Sequence, residues 1–169
     1  MERSKIAIII PVYNEEKTIK NIIKKVKFFG YPVVINDNST DGTKNILKEL
    51  KIKYLDNKKN LGYEKSLKKG LIFAKKKNFQ YFITIDGDDQ HNVFEIKKII
   101  ILLKKYDLVF TVRDELNRFS ERFFSLITNI FYDIKDPLSG LKGYRKNILN
   151  YYKFKNWNNS FGSDLLLFA

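Results

Sequence analysis

The 169-residue chain contains no cysteine and only one histidine. These absences exclude a disulfide framework, a thiol nucleophile, a Cys-ligated zinc site and a zinc motif built on two histidines. No apolar run approaches the roughly 18 residues that a membrane-spanning helix needs. The apolar segment after residues 1–5 is also too short for the core of a signal peptide. We therefore expect a protein of the cytoplasm, or of the cytoplasmic face of a membrane.

Acidic residues are scarce, with 19 Asp and Glu against 32 Lys and Arg, for a net charge of +13. Residues 44–77 hold twelve Lys and three acidic residues, and so carry nine of the thirteen net charges. Such a surface attracts polyanions: nucleic acid, anionic lipid headgroups or phosphorylated small molecules. A Lys-rich solvated surface with no anionic partner is an equally good interpretation. The 44% hydrophobic content excludes intrinsic disorder.

Short β-branched runs alternate with segments of helical periodicity. We predict strands at 5–10, 31–35, 52–55, 81–85 and 108–112, with Pro11 stopping the first strand. Apolar residues spaced as on one helix face predict four helices, the first ended by Gly30. The apolar positions are Ile19, Ile22, Ile23 and Val26; Ile46, Leu47 and Leu50; Leu67, Leu71 and Ala74; and Ile96, Ile99, Ile100 and Leu103. This alternation predicts an α/β fold whose sheet is mostly parallel.

Polar segments follow three of the predicted strands, at residues 11–16, 36–43 and 86–92. In open parallel sheets, ligands bind outside the carboxyl ends of the strands. We therefore expect these three segments to converge on one edge of the sheet.

The strongest local motif is the sequence Asp-Gly-Asp-Asp-Gln at residues 86–90. Three carboxylates in four residues repel each other unless a cation compensates them, which suits a hard divalent ion. An EF-hand is excluded because His91 and Lys97 stand where that loop needs Gly and Glu. The alternative is an acidic turn that caps the fourth helix, with Asn92 as its N-cap.

The segment 36–43 has two interpretations. It forms a turn and helix cap, or it is a loop whose Asp37 accepts hydrogen bonds from a base or ribose. The chain has no G-x-G-x-x-G after a strand and no G-x-x-x-x-G-K-[ST]. Because the usual Gly-rich phosphate cradle is absent, a metal would have to hold any diphosphate.

Five motifs in order resemble family 2 glycosyltransferases with the GT-A fold. They are the sequence of residues 8–15 (IIIPVYNE), the 37–43 loop, Asn-Leu-Gly at 60–62, the 86–91 motif and the 136–145 segment (DPLSGLKGYR). The last of these is similar to the acceptor-side motif of the dolichyl-phosphate mannose synthase branch. The resemblance implies a GT-A sheet with helices on both faces.

The resemblance also implies roles for individual residues. Nucleotide binding would fall to Pro11, Tyr13, Asn14, Glu15, Asp37 and Asp86. A Mg²⁺ or Mn²⁺ ion would be held by Asp86, Asp88 and Gln90. Asp88, Arg118 and Arg122 would be catalytic, and Arg113, Ser139, Gly140 and Arg145 would bind the acceptor. His91 is expected to have a structural role.

The resemblance covers nearly the whole chain as one catalytic domain, with a nucleotide and metal half (1–112) and an acceptor half (113–169). After Gly62 the family often has a Lys, whereas this chain has Tyr63 and Glu64. The family's domain normally continues past the apolar last residues, so we expect a chain truncated at its C-terminus. The uncharged run 123–132 reads either as a core helix or as a helix lying in a membrane interface.

The implied reaction is inverting transfer from a GDP- or UDP-sugar, with the metal stabilising the charge of the leaving diphosphate. A polyprenyl or dolichyl phosphate is already a dianion near pH 7 and needs no general base, which agrees with the single His. A glycan hydroxyl is the alternative acceptor. From other classes, the alternatives are a basic nucleic-acid-binding module, which three acidic loops disfavour, and an inactive sugar-nucleotide-binding protein.

Overall fold

The computed structural model describes residues 2–112, 129 and 139–151. A short 3-10 turn at Arg3–Lys5 precedes the first strand. The strands are β1 (Ile6–Val12), β2 (Tyr31–Asn36), β3 (Tyr54–Asp56), β4 (Tyr81–Thr84), β5 (Leu108–Phe110) and β6 (Lys142–Arg145). The helices are α1 (Ile19–Val26), α2 (Thr43–Glu49), α3 (Tyr63–Lys76), α4 (Glu95–Leu102) and α5 (Lys146–Tyr151).

The six strands form one sheet in the order β3-β2-β1-β4-β6-β5. β1 pairs in parallel with β2 and β4, and β2 pairs in parallel with β3. β6 runs antiparallel to both of its neighbours, β4 and β5. The predicted α/β fold with a mostly parallel sheet is therefore confirmed.

β1 lies at the centre of the sheet and is buried along its whole length. Its side chains alternate between two cores: Ile8 and Ile10 pack with α1 and α4, whereas Ala7 and Ile9 pack with α3 and α5. A strand covered by helices on both faces needs apolar residues at every position, not at every second one. This explains the continuous apolar run at residues 6–10.

The expectation that Pro11 stops the first strand is wrong. β1 continues to Val12, and Pro11 is paired in register with Ile35 of β2. Pro11 turns its backbone nitrogen to the same side as Ile9, toward β4, where the register ends at Ile9 and Thr84. A proline is tolerated there because no ladder partner requires its missing N–H.

Gly30 does not act as a left-handed helix cap either, since α1 ends at Val26 and Gly30 has no positive φ. A Cβ atom at Gly30 would lie 2.8 Å from the Ile6 backbone oxygen. Close packing against the start of β1, not helix termination, therefore requires glycine at this position.

β6, which separates β4 from β5, was not predicted from the sequence. This strand has only four residues, and two of them, Lys142 and Arg145, are charged. Its pattern is too short and too polar to indicate a strand, so only its pairing with β4 and β5 reveals it.

Within the described residues, no helix combines the length and the apolar character needed to cross a membrane.

Candidate active site

The loops that follow β1 (residues 13–18), β2 (37–42) and β4 (85–94) meet at one edge of the sheet. The backbone N–H of Asn14 donates to Ser39 Oγ at 3.0 Å, and that of Glu15 donates to Thr43 Oγ1 at 2.8 Å. The Thr18 hydroxyl donates to the Gly87 carbonyl oxygen at 2.6 Å. The expected convergence of the three polar segments is confirmed.

Each of these loops contains one residue with a left-handed backbone. The φ angles are +58° at Asn14, +61° at Asn38 and +60° at Asp89. Among non-glycine residues, Asn and Asp adopt this conformation most readily, although at a cost. At Asn14 the side-chain oxygen accepts the Thr40 N–H at 2.8 Å, so the first loop is tied to the second.

The Asp86 carboxylate lies at the centre of this edge. Its Oδ2 atom is 3.3 Å from Nε2 of His91. Its Oδ1 atom is buried and has no hydrogen-bond partner in the described part of the chain. Burial alone would raise the pKa of the Asp86 carboxyl, but hydrogen bonds with the His91 and Tyr63 side chains and the charges of His91 and Lys142 hold it below its usual value.

The other acidic residues of the motif face different surroundings. Asp88 is half-buried, and its Oδ1 accepts the backbone N–H of Gln90 at 3.0 Å. Asp89 instead turns toward α1, where Asn21 Nδ2 donates to it at 2.9 Å and Lys25 Nζ lies 3.4 Å away. The repulsion expected among the three carboxylates is therefore relieved partly by turning the third one away.

The donor set fits a hard divalent ion in its chemistry, because Asp86 and Asp88 offer carboxylate oxygens and Asp86 Oδ1 is unpaired. Among residues 2–112 and 139–151, however, no group of three His, Asp or Glu side chains is arranged to hold an ion. Mg²⁺ is usually bound by one or two carboxylates together with substrate phosphates and water. The site suits that mode and not an all-protein cage.

Glu15 adds a further carboxylate to this edge. Its Oε2 accepts the Thr18 hydroxyl at 3.1 Å. Burial raises the pKa of the Glu15 carboxyl, the Thr18 hydrogen bond opposes that rise, and the negative charges of Asp88, Asp41 and Asp86 add to it. The edge thus concentrates negative charge that a bound cation would relieve.

The raised pKa predicts a pH dependence of stability. Because ionised Glu15 is disfavoured in the folded state, its contribution to stability falls as the pH rises from the ordinary value of 4.5 through the raised folded pKa. We expect Glu15→Gln to raise the unfolding midpoint at pH 7 by up to about 3 °C. The gain should shrink toward zero at pH 4, where the wild-type carboxyl is largely protonated in both states. Melts without divalent cations would check this, and an equal gain at both pH values would contradict it.

Asp37 is only 3% exposed, and groups of this chain occupy both of its carboxylate oxygens. Oδ1 accepts Asn57 Nδ2 at 2.7 Å and the Leu61 N–H at 2.9 Å, and Oδ2 accepts the Gly62 N–H at 2.8 Å. Asp37 therefore holds the turn before α3, where Gly62 has a φ of +86°. Its contact with a nucleotide stays a prediction.

The remaining predicted nucleotide residues, Pro11 and Tyr13, lie at the end of β1. Pro11 is buried within the strand, whereas the Tyr13 side chain is 45% exposed at the loop edge. Of the two, only Tyr13 presents a side chain that a ligand could contact directly.

The structure separates the predicted acceptor residues. Ser139 is buried, and its hydroxyl lies 2.9 Å from Thr111 Oγ1, while Gly140 lies against Asp86. Arg145 is instead paired in register with Tyr81, and its guanidinium donates to Asp107 at 3.3 Å. Since a strand rises about 3.3 Å per residue, this register places Arg145 roughly 16 Å from Asp86.

Sequence reasoning missed Lys142, which is 5% exposed and whose charge lowers the pKa of Asp86. It also missed the contacts of Ser39 and Thr43 with the first loop. The polar composition of residues 36–43 indicated a functional loop but could not identify its partners. Arg113, Arg118, Arg122 and the 123–132 run, apart from residue 129, lie outside the described residues.

A sheet edge where three strand-end loops bring buried and half-buried carboxylates together is the place at which open α/β proteins bind their ligands. Residues 7–163 match the family described as glycosyl transferase family 2, and the chain belongs to this family. The predicted GT-A fold and the glycosyltransferase class are thereby confirmed.

Curated relatives include MJ0544, an uncharacterized protein of Methanocaldococcus jannaschii. It is 33% identical over 169 residues, which cover 86% of this chain and 74% of that protein. The UDP-N-acetylglucosamine–dolichyl-phosphate N-acetylglucosaminyltransferase of Methanococcus voltae is 31% identical over 114 residues. That match covers 56% of this chain and 45% of the enzyme.

Among solved structures, the chain resembles glucosyl-3-phosphoglycerate synthase from Mycobacterium tuberculosis in complex with Mn²⁺, UDP-glucose and phosphoglyceric acid. The TM-score is 0.78 at 18% identity, over 97% of this chain and 64% of that one. At this identity the likeness concerns the fold alone. The chain thus spans less than two thirds of this structure and less than half of the Methanococcus voltae enzyme.

Proposed function

We propose that this domain transfers a sugar, with inversion, from a nucleoside-diphosphate sugar to a polyprenyl or dolichyl phosphate. The observation that carries the proposal is the sheet edge at which Asp86, with its buried unpaired Oδ1, lies beside the 139–141 segment. Asp86 belongs to the 86–90 motif, which is expected on the donor side. The 139–141 segment belongs to the 136–145 motif, which is expected on the acceptor side. Their contact supports a single centre for both substrates, as group transfer requires.

On the donor side, Tyr13, Asn14 and Glu15 would contact the nucleotide, with Pro11 and Asp37 shaping the loops that hold them. Asp86, Asp88 and Gln90 would hold a Mg²⁺ or Mn²⁺ ion, which supplies positive charge to the departing diphosphate. The Mycobacterium tuberculosis structure with Mn²⁺ and UDP-glucose supports a metal-bound UDP-sugar donor.

On the acceptor side, Arg113, Arg118 and Arg122 would bind the phosphate, for which guanidinium groups are well suited. The name of the Methanococcus voltae relative supports a lipid-phosphate acceptor. The single histidine of the chain is bonded to Asp86, and a phosphate dianion needs no such base. A lipid acceptor implies peripheral association with the cytoplasmic face of a membrane.

The test supplies labelled UDP-glucose, UDP-N-acetylglucosamine and GDP-mannose with Mn²⁺, together with polyprenyl phosphate in detergent or with soluble glycans. We expect label in the lipid fraction from one donor, dependent on both Mn²⁺ and the lipid phosphate. Label found only in the glycans would contradict the lipid acceptor and indicate that a glycan hydroxyl is the acceptor. Salt-sensitive binding to nucleic acid without nucleotide binding would overturn the enzyme proposal.

Tyr13→Ala tests the donor side. Because this side chain is exposed at the loop edge, its loss should leave the unfolding midpoint within about 1 °C of the wild type. We expect UDP or GDP affinity to fall by about tenfold, since a stacking or hydrogen-bonding surface is lost. Calorimetry and thermal melts measure the two effects. A large drop in the midpoint with unchanged affinity would assign Tyr13 to packing instead.

A further inference from the structure

Gly140 packs directly against the Asp86 carboxylate. A Cβ atom built on Gly140 would lie 2.6 Å from Asp86 Oδ1, and closer still to Oδ2 and Cγ. These separations are well inside van der Waals contact, so no other residue fits at position 140 unless something moves. Since the clash includes Cγ, rotating the carboxylate about its own axis would not relieve it.

The backbone around Gly140 is held firmly on both sides. The Thr84 hydroxyl donates to the Gly140 carbonyl oxygen at 2.9 Å, and the Thr111 N–H donates to the Leu141 carbonyl oxygen at 3.2 Å. From Lys142 onward the chain is paired with both β4 and β5. The 139–141 backbone cannot retreat without breaking these bonds, so a side chain at position 140 would displace Asp86.

Asp86 is therefore confined by its neighbours. His91 contacts Oδ2 at 3.3 Å, Tyr63 hydrogen-bonds the carboxylate, and the bare Cα of Gly140 packs against it, while Oδ1 is left buried and unpaired. We propose that Gly140 is a positioning residue that fixes the orientation of the Asp86 carboxylate for the donor site. This role differs from acceptor binding, and its functional part rests on the proposed function.

The first test is a double-mutant cycle on the unfolding midpoint of the ligand-free protein, with wild type, Gly140→Ala, Asp86→Ala and the double variant. Gly140→Ala should lower the midpoint by at least about 3 °C in the wild type, and by less than about 1 °C when Asp86 is already truncated. If Gly140→Ala shifted the unfolding midpoint equally in the two backgrounds, or in neither, the contact between Gly140 and Asp86 would be refuted. This cycle needs no nucleotide, so it remains decisive even if the proposed function fails.

The second test measures UDP affinity with Mn²⁺ by calorimetry. We expect Gly140→Ala to bind at least about tenfold more weakly than the wild type, and the double variant to bind no more weakly than Asp86→Ala. Wild-type affinity in Gly140→Ala would overturn the positioning role. Absence of Mn²⁺-dependent UDP binding in the wild type would instead count against the proposed function.

Gly143→Ala is the matched control. A Cβ atom there would collide with Ile99 and lie 3.0 Å from Leu103, in the core under α4 and away from Asp86. Its midpoint should drop by the same amount whether or not Asp86 is present, and the folded variant should keep wild-type UDP affinity. A loss of affinity in Gly143→Ala equal to that in Gly140→Ala would show that general destabilisation suffices, and would overturn the specific role of Gly140.

Discussion

Asp88→Asn should reduce sugar transfer by at least about 100-fold, because it would weaken the hold on the cation that stabilises the charge of the leaving diphosphate. The substitution keeps the size of the side chain and removes its charge. Asp88 is half-buried, and its negative charge helps to raise the pKa of Glu15, so losing that charge removes part of the field that attracts a cation. Mn²⁺-dependent UDP binding should weaken in parallel, as calorimetry and a transfer assay would show.

Asp89→Asn is the matched control, since it makes the same change one residue along the chain. Asp89 faces Asn21 and Lys25 of α1 and not the sheet edge, and asparagine tolerates its left-handed backbone well. Its transfer rate should stay within about threefold of the wild type, because the partly exposed pair with Lys25 lies away from the proposed metal ligands and contributes little. Equal losses in both variants would refute the distinction between the two carboxylates.

Asp37→Ala should have the largest effect on stability among these substitutions. It would leave the Leu61 N–H without its acceptor, and the Asn57 amide and the Gly62 N–H would keep only Ser66 Oγ and Asn60 Oδ1. A hydrogen bond to a charged group contributes about 1.5–3 kcal/mol, so the loss of three of them should lower the free energy of unfolding by about 3 kcal/mol or more. Urea denaturation would measure it.

Asp107→Ala provides the comparison, because this carboxylate is 56% exposed and its partner is Arg145 at the surface. We expect this variant to lose less than about 1 kcal/mol. If Asp37→Ala unfolded at the wild-type urea concentration but lost nucleotide binding, the ligand contact predicted from the sequence would be its main role, and the turn at residues 60–62 would not depend on it.

The sequence predicted most of the secondary structure, because its signals are local. Ile19, Ile22, Ile23 and Val26 recur at helical spacing and are all buried. The errors arose where a residue type has more than one physical use. Pro11 can end a strand or lie where no ladder bond is needed, and Gly30 can cap a helix or make room for Ile6. A single sequence does not distinguish these uses.

The candidate site, too, was predictable from the sequence only in part. The polar segments after β1, β2 and β4 were predicted to converge, because parallel strands end at one edge. Their tertiary partners were not predictable: Thr43 accepts the Glu15 N–H, and Asp89 turns away to α1. Such contacts depend on side-chain directions that spacing along the chain does not encode.

By itself, the sequence determined the fold class, the family and the edge of the sheet that carries the charged motifs, since these follow from periodicity and motif order. Only the tertiary structure decided that β6 inserts between β4 and β5. That pairing brings Gly140 and Lys142 to Asp86 while placing Arg145 at the far end of the strand. The physical reason is that β6 is too short and too polar to specify its own place, so its register is set by the ladder bonds of its two neighbours.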